Sequence, residues 1–152
     1  MLQVPPCIFA NGVDAHGISP NGRYVSGGLS YCDDAWLFVF DTQTGQRIEI
    51  ALPPGGDSLL HTAVNDNGLV AGEYRGPNVW NGFVYDLNLG QYIGILGPGV
   101  PRGACHVSRI NRAGVVCGTR QVVDPLEFFR TAYTWTAKGG FTDVGLINGW
   151  ST

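Results

Sequence analysis

The stretch Thr62-Ala-Val-Asn65-Asp-Asn-Gly68-Leu-Val-Ala-Gly72 decides the fold, because the chain carries three versions of it. The other two versions occupy residues 17–27 and 108–118. The glycine in the middle of each version recurs at a spacing of 46 residues, at Gly22, Gly68 and Gly114. A fixed period of this length is typical of a repeat protein, so the chain is predicted to fold as three copies of one unit.

Each version predicts a tight hairpin. An apolar run leads into Ser or Asn, the glycine follows three residues later, and a β-branched or small apolar run ends in a second glycine. The side chain of Asn65 can cap the turn, and Gly68 can take the positive φ that closes it. The segments 69–71 and 115–117 are short, apolar and strand-like. The stretch is therefore interpreted as the first two strands of each unit.

A second repeated element supplies the third and fourth strands. Two aromatic residues stand at positions i and i+2, which places both rings on one face of a sheet, and a polar turn and another apolar strand follow. These rings are interpreted as core between units, with a ligand-stacking platform as the alternative. The three pairs are Phe38 and Phe40, Phe83 and Tyr85, and Tyr133 and Trp135.

Four short strands in about 46 residues match the length of a propeller blade. The predicted fold class is all-β and β-propeller-like, with three four-stranded units in a single domain. The units are predicted at residues 14–56, 57–101 and 102–152, and residues 1–13 are interpreted as an N-terminal clasp or a loop.

Three units leave the ring incomplete, because propellers typically have four to eight blades. We predict that two copies of the chain form a homodimer with six blades, which closed cyclic symmetry allows. The alternatives are that the chain is a fragment of a larger propeller, or that its strands form another barrel or sandwich.

The repeats resemble those of the HAF family of probable extracellular proteins, which are thought to build β-propellers. The resemblance rests on Ile-Asn-x-x-Gly-x-Val-x-Gly at residues 110–118, on residues 132–135, and on residues 140–145. The first copy departs from the pattern, with Ser19 for Asn and Phe40 for Trp. The resemblance implies a propeller fold and an extracellular setting, and it brings no established catalytic residues.

Composition narrows the classes of function. The chain has 152 residues, of which 14% are charged, and its net charge is −3. With no basic stripe, nucleic-acid binding is not expected. No apolar stretch approaches the roughly 20 residues that span a membrane. The N-terminus lacks the basic start and apolar core of a signal peptide, so none is expected there.

One face of loops is the predicted ligand-binding site. The third unit carries an extension at residues 121–129, which corresponds to the loop tips at 31–34 and 76–80 in the other units, and insertions in repeats usually map to one face. The three loops are predicted to cluster. The candidate ligand-binding residues are Tyr31, Asp33, Asp34, Trp80, Asp124, Glu127 and Phe128.

The predicted function is non-enzymatic binding or scaffolding, with carbohydrate or protein recognised through aromatic rings beside polar loops. A glycoside-hydrolase-like enzyme that uses two loop carboxylates is the alternative, and a purely structural role is the third. An enzyme should bring acids together in a deep pocket. A binding module should show shallow pockets repeated between blades.

The histidines and cysteines predict neither a metal nor a cofactor. His16, His61 and His106 precede their turn glycines by six, seven and eight residues, so His61 is predicted to point away from the other two. No Cys-x-x-Cys pair is present. Cys117 aligns with the small residues Ser26 and Ala71, which predicts that it is buried.

Overall fold

The protein is all-β. The computed structural model describes residues 12–31, 34–97, 104–124 and 127–145, with side chains for 12–30, 34–97, 104–122 and 130–144. These ranges contain twelve strands and no helix. The strands are β1 (Gly12–Ile18), β2 (Tyr24–Tyr31), β3 (Asp34–Asp41), β4 (Gln46–Ala51), β5 (Ser58–Val64), β6 (Leu69–Arg75), β7 (Trp80–Asp86), β8 (Gln91–Leu96), β9 (Cys105–Ile110), β10 (Val116–Asp124), β11 (Glu127–Thr136) and β12 (Gly140–Gly145).

The strands form three four-stranded antiparallel sheets in chain order. The first sheet contains β1 to β4, the second β5 to β8 and the third β9 to β12. This arrangement confirms three units of four strands. Of the segment predicted as a clasp or loop, residues 1–11 lie outside the described part, and β1 begins at Gly12. None of the described segments is a helix long and apolar enough to cross a membrane.

The repeated turns have the predicted conformation. Gly22, Gly68 and Gly114 have φ angles of 75°, 80° and 80°, in the left-handed region that favours glycine. In the middle copy, the Asn65 side-chain oxygen accepts hydrogen bonds from the backbone N–H groups of Asn67 and Leu69, at 3.0 and 2.9 Å. Turn and side chain therefore close each hairpin locally, before any contact between sheets is needed.

The first strands of the three sheets share one inner edge, because β5 contacts both β1 and β9. The sheets then pack face to face in chain order, with β5 against β2 and β3, and with β9 against β6 and β7. Two core clusters result. The first lies between the first and second sheets and includes Leu37, Val39, Val70 and Phe83. The second lies between the second and third sheets and includes Val84, Leu96, Val116 and Tyr133.

The aromatic pairs of the second and third sheets confirm the core interpretation. Phe83 belongs to the first cluster, and Tyr133 and Trp135 belong to the second. Each ring therefore packs against the preceding sheet. The corresponding ring of the first sheet, Phe38, is buried but belongs to neither cluster of the described residues.

The extension at residues 121–129 was predicted to form a loop. Instead, its described residues lengthen the β10–β11 hairpin. Val122 pairs with Phe129, Val123 with Phe128, and Asp124 with Glu127. The segment is rich in β-branched and aromatic residues, which favour strands, so pairing continues as far as Asp124 and Glu127. Residues 125–126 lie outside the described part.

The prediction that Cys117 is buried is wrong. Its counterparts Ser26 and Ala71 are 0% exposed, because the next sheet covers them, and Ser26 accepts a hydrogen bond from Thr62 at 2.9 Å. Cys117 occupies the same position in the last sheet and is exposed. The residue type suits a core position, and the exposure follows from the absence of a fourth sheet in the described part of the chain.

Candidate functional site

The antiparallel order gives the molecule two different ends. The turns between β1 and β2, β5 and β6, and β9 and β10 lie at one end, which we call the turn end. The strand ends that face the β2–β3, β6–β7 and β10–β11 connections lie at the other end, together with the described connection from the first sheet to the second, and we call it the loop end. The predicted ligand-binding residues that the structure describes, which are all of them except Asp33, belong to the loop end.

The described part of the loop end contains only some of these residues with side chains. Asp34 begins β3 and is exposed, and Trp80 begins β7 and is half-buried. Asp33 lies outside the described residues. For the remaining predicted residues the structure describes the backbone alone, at the end of β2 and beside the β10–β11 tip; they are Tyr31, Asp124, Glu127 and Phe128.

Trp80 lines an open cleft of about 440 Å³ between the second and third sheets. We call it the Trp80 cleft. A short parallel bridge between Trp80 and Ala104 joins the two sheets there. Gln121 is held in place because its side-chain oxygen accepts a hydrogen bond from the Ala104 N–H at 3.1 Å. The remaining lining is mostly polar and comes from Asp57, Arg75 and the β6–β7 tip, including Asn78.

A second, smaller cleft of about 280 Å³ lies beside the Trp80 cleft, at the first sheet. Its lining includes Asp34, Trp36 and the connection from Leu52 to Asp57, and we call it the Trp36 cleft. Asp57 lines both clefts. The two clefts differ in their linings, so they are neighbours on one surface and do not repeat one another as the sequence predicted for a binding module.

The two charged residues between the clefts, Arg75 and Asp57, form an ion pair. The Arg75 guanidinium donates hydrogen bonds to both carboxylate oxygens of Asp57, at 2.9 and 3.2 Å. Hydrogen bonding to Asp57 raises the pKa of Arg75. The pair is about half exposed, at 54% and 53%, and both residues line the Trp80 cleft, so its remaining N–H groups and lone pairs are open to a ligand. Such a pair is suited to hydrogen-bonding a polar ligand.

Sequence reasoning found Trp80 and Asp34 but missed Trp36, Asp57 and Gln121. Trp36 lies inside a strand and not at a loop tip, and Asp57 and Gln121 reach the clefts through the packing of separate sheets. The available signal was the unit boundary itself, because Asp57 follows Pro53-Pro54-Gly55-Gly56 in the connection that runs along the loop end.

The predicted orientation of His61 is wrong. The rings of His16 and His61 stack with centroids 6.1 Å apart and an interplanar angle of 26°. β-Bulges at His16 in β1 and Leu60 in β5 insert one residue each and reset the faces that a simple residue count predicts. His106 lies elsewhere, with its Nδ1 3.0 Å from the Glu73 carboxylate. In the described ranges no three metal-ligating side chains come together.

Comparison with known proteins supports the fold. No protein-family model matches the sequence, and no curated protein matches it. The crystal structure of TolB from Acinetobacter baumannii, a propeller-containing protein, is similar with a TM-score of 0.53 at 13% identity. The match covers 87% of this chain and 32% of the TolB chain. The likeness supports an all-β architecture of propeller type, and the resemblance to HAF repeats stays a prediction.

Proposed function

We propose that the chain is a non-enzymatic binding module that holds a linear oligosaccharide along the two adjoining clefts of the loop end. The observation that carries the proposal is the position of Trp80, a half-buried indole in an open cleft whose other walls are mostly polar. An indole presents a flat apolar surface and one N–H donor, which suits the alternating apolar faces and hydroxyl groups of a sugar.

The second cleft supports an extended ligand. Trp36 lies in the Trp36 cleft, and Asp57 is shared by both clefts, so a chain of sugar units can cross from one indole to the other past one charged pair. The clefts are shallow and open, which suits a ligand that remains partly in water. Amide groups from Asn78 and Gln121 add neutral donors and acceptors along the path.

A hydrolase is the weaker proposal. Asp34 and Asp57 both line the Trp36 cleft, but both oxygens of Asp57 accept hydrogen bonds from Arg75. A glycosidase needs one carboxyl group as a proton donor and a second as base or nucleophile. With both oxygens of Asp57 occupied by Arg75, the described lining of the Trp36 cleft lacks a second carboxyl group that is free for this chemistry.

The test is a titration of neutral oligosaccharides, followed by tryptophan fluorescence and calorimetry. Trp80→Ala should weaken binding by at least about tenfold, because a truncated aromatic anchor typically costs that much. Leu89→Ala is the control, since Leu89 is exposed at the turn end of the molecule. Binding of no oligosaccharide, or equal binding by Trp80→Ala, would refute the proposal. If a peptide binds and no oligosaccharide does, the proposed ligand class is wrong and the site is a peptide-binding site.

We also propose that two chains assemble into a closed ring of six sheets. Cys117 and Val144, the latter 66% exposed, lie on the third sheet, where Cys117 marks the face that the next sheet covers in the other two repeats. On the first sheet, Phe38 marks the face that packs on a preceding sheet in the other repeats. In the proposed ring, the Cys117 face of the third sheet of one chain packs against the Phe38 face of the first sheet of the second chain. A twofold axis generates the same contact a second time.

Light scattering tests the assembly. The proposal expects a mass about twice the 16.3 kDa of one chain. Cys117→Arg should shift the protein to the monomer, because it places a charge in the proposed interface. Leu89→Arg should leave the mass unchanged. A wild-type monomer at all concentrations, or a Cys117→Arg variant that remains dimeric, would exclude this ring.

A further inference from the structure

A third cavity lies at the inner edge of the sheets, toward the turn end and away from the clefts of the loop end. It has a volume of about 370 Å³ and is lined by parts of β1, β5, β9 and the first turn. Three of its lining residues are basic: His16, His61 and Arg109. Three others are large and apolar: Ile18, Val64 and Ile110.

The basic residues of the cavity lining offer hydrogen bonds and charge to a ligand. His16 Nδ1 is buried and has no hydrogen-bond partner within the described structure. A buried polar atom without a partner is costly, so a small turn of the ring that brings Nδ1 to a ligand in the cavity is favoured. The neighbouring His61 ring cannot satisfy it by stacking, because the two rings lie nearly parallel at 6.1 Å. Arg109 adds a permanent positive charge from the third inner strand.

We propose that this cavity binds a small organic carboxylate with a hydrocarbon body. The carboxylate lies against His16, His61 and Arg109, and the hydrocarbon body lies against Ile18, Val64 and Ile110. Ile18 is 64% exposed in the free protein, so covering it removes apolar surface from water. The site is separate from the clefts of the loop end, so the proposal does not depend on oligosaccharide binding.

Binding of the anion is coupled to protonation. Burial, and next the proximity of His61, lower the pKa of His16, while Asp14 on the same strand opposes this. An anion in the cavity favours the charged imidazole, so the complex takes up protons and binding strengthens as the pH falls.

The other charged groups near the cavity are either hydrogen-bonded to backbone groups or exposed to solvent. Glu73, the register partner of His61, accepts a hydrogen bond from Val107 at 2.8 Å. Asp66, in the turn after β5, accepts one from the Asn21 N–H at 2.9 Å. Asp14 is exposed. Among the described groups, the histidines and Arg109 therefore set the charge of the cavity lining.

The experiment titrates the full chain with hexanoate and follows the histidine ring signals by NMR at pH 5.5 and pH 8. Hexanoate should shift the His16 and His61 signals and bind about tenfold more tightly at the lower pH. Hexanamide, which has the same hydrocarbon body and no charge, should bind at least about tenfold more weakly than hexanoate at pH 5.5.

Variants separate the site from general affinity for anions. Arg109→Gln changes an exposed residue and should reduce hexanoate binding by about tenfold without affecting the fold. His16→Gln should remove most of the pH dependence, because glutamine does not titrate. Lys138→Gln, in the exposed turn before β12, is the control and should bind as the wild type does. The proposal fails if hexanoate and hexanamide bind equally, if hexanoate leaves the histidine signals unchanged, or if Arg109→Gln binds like Lys138→Gln.

Discussion

The carboxylate of Glu73, on β6, accepts a hydrogen bond of 2.8 Å from the backbone N–H of Val107, on β9. The same carboxylate lies 3.0 Å from the Nδ1 atom of His106. Glu73 is 4% exposed, so this contact joins the second and third sheets inside the protein. The residue at the same place in the first sheet is Gly28. The contact is therefore specific to one interface and is not a property of the repeat.

Replacing Glu73 should destabilise the protein at this interface. Glu73→Ala leaves the buried Val107 N–H without an acceptor, which should cost about 1–3 kcal/mol in the free energy of unfolding. Glu73→Gln keeps an acceptor and should cost less. The measurement is urea denaturation. Glu49→Ala, which removes an exposed partner of Arg47, should change stability by less than about 0.5 kcal/mol. Equal losses for Glu73→Ala and Glu49→Ala would contradict this view of the interface.

The last glycine of the repeated stretch is required by packing. A Cβ atom at Gly72 would lie 2.6 Å from the Phe83 ring and 2.7 Å from the His61 carbonyl oxygen. Gly72→Ala should therefore destabilise the protein by about 1–3 kcal/mol, as overpacking of a core does. Gly97→Ala is the matched control, because its nearest atom beyond the chain neighbours is 3.9 Å away. Thermal unfolding of both variants decides the point, and a neutral Gly72→Ala would show that the ring can move aside.

Asn65 has a second role beyond its own turn. Its side-chain amide donates a 2.9 Å hydrogen bond to the backbone oxygen of Asn111, in the corresponding turn of the third sheet. Asn65→Asp keeps the acceptor that closes the turn but loses this donor and buries a charge at a position that is 1% exposed. The expected cost is about 2 kcal/mol.

The matched control for this substitution is Asn111→Asp, because Asn111 is exposed in the equivalent turn. It should change the free energy of unfolding by no more than about 0.5 kcal/mol. Urea denaturation of the two variants side by side gives the comparison. Similar values for both would mean that the asparagine serves only its own turn.

Stability should decrease as the pH falls below about 6.5 in a buffer without carboxylates. Burial lowers the pKa of His16 in the folded state, so the unfolded chain takes up this proton first and is favoured as the pH falls. This loss of stability is absent above pH 6.5, the ordinary pKa of the histidine in the unfolded chain, and it develops below that pH. Asp41, whose pKa is lowered from 3.8 by the hydrogen bond from Arg23, acts only at more acidic pH.

His16→Gln should reduce the dependence of stability on pH between about 7.5 and 5.5, because glutamine does not titrate. Denaturation at several pH values in this range measures the slope. A variant that keeps the full slope of the wild type would assign the dependence to another group.

The repeated chemistry made much of the fold predictable. Glycine at the position of Gly68 and asparagine at the position of Asn65 act within one turn, so their effect can be inferred from a few neighbouring residues. The alternation of Phe83 and Tyr85 likewise indicates which face of a strand is buried. By contrast, a count of residues misplaced His61, because the bulges at His16 and Leu60 each insert a residue that simple alternation does not include.

The candidate site was also less predictable. Trp80 stood out at a loop tip, but Asp57 and Gln121 join it only because the second and third sheets pack together. The sequence by itself determined the turns, the strands and the three-unit period, since these depend on local backbone preferences and on alternation. The tertiary structure alone decided that Cys117 is exposed and that His16 meets His61, because burial and proximity depend on which sheet covers which, and residues far apart in the chain settle that.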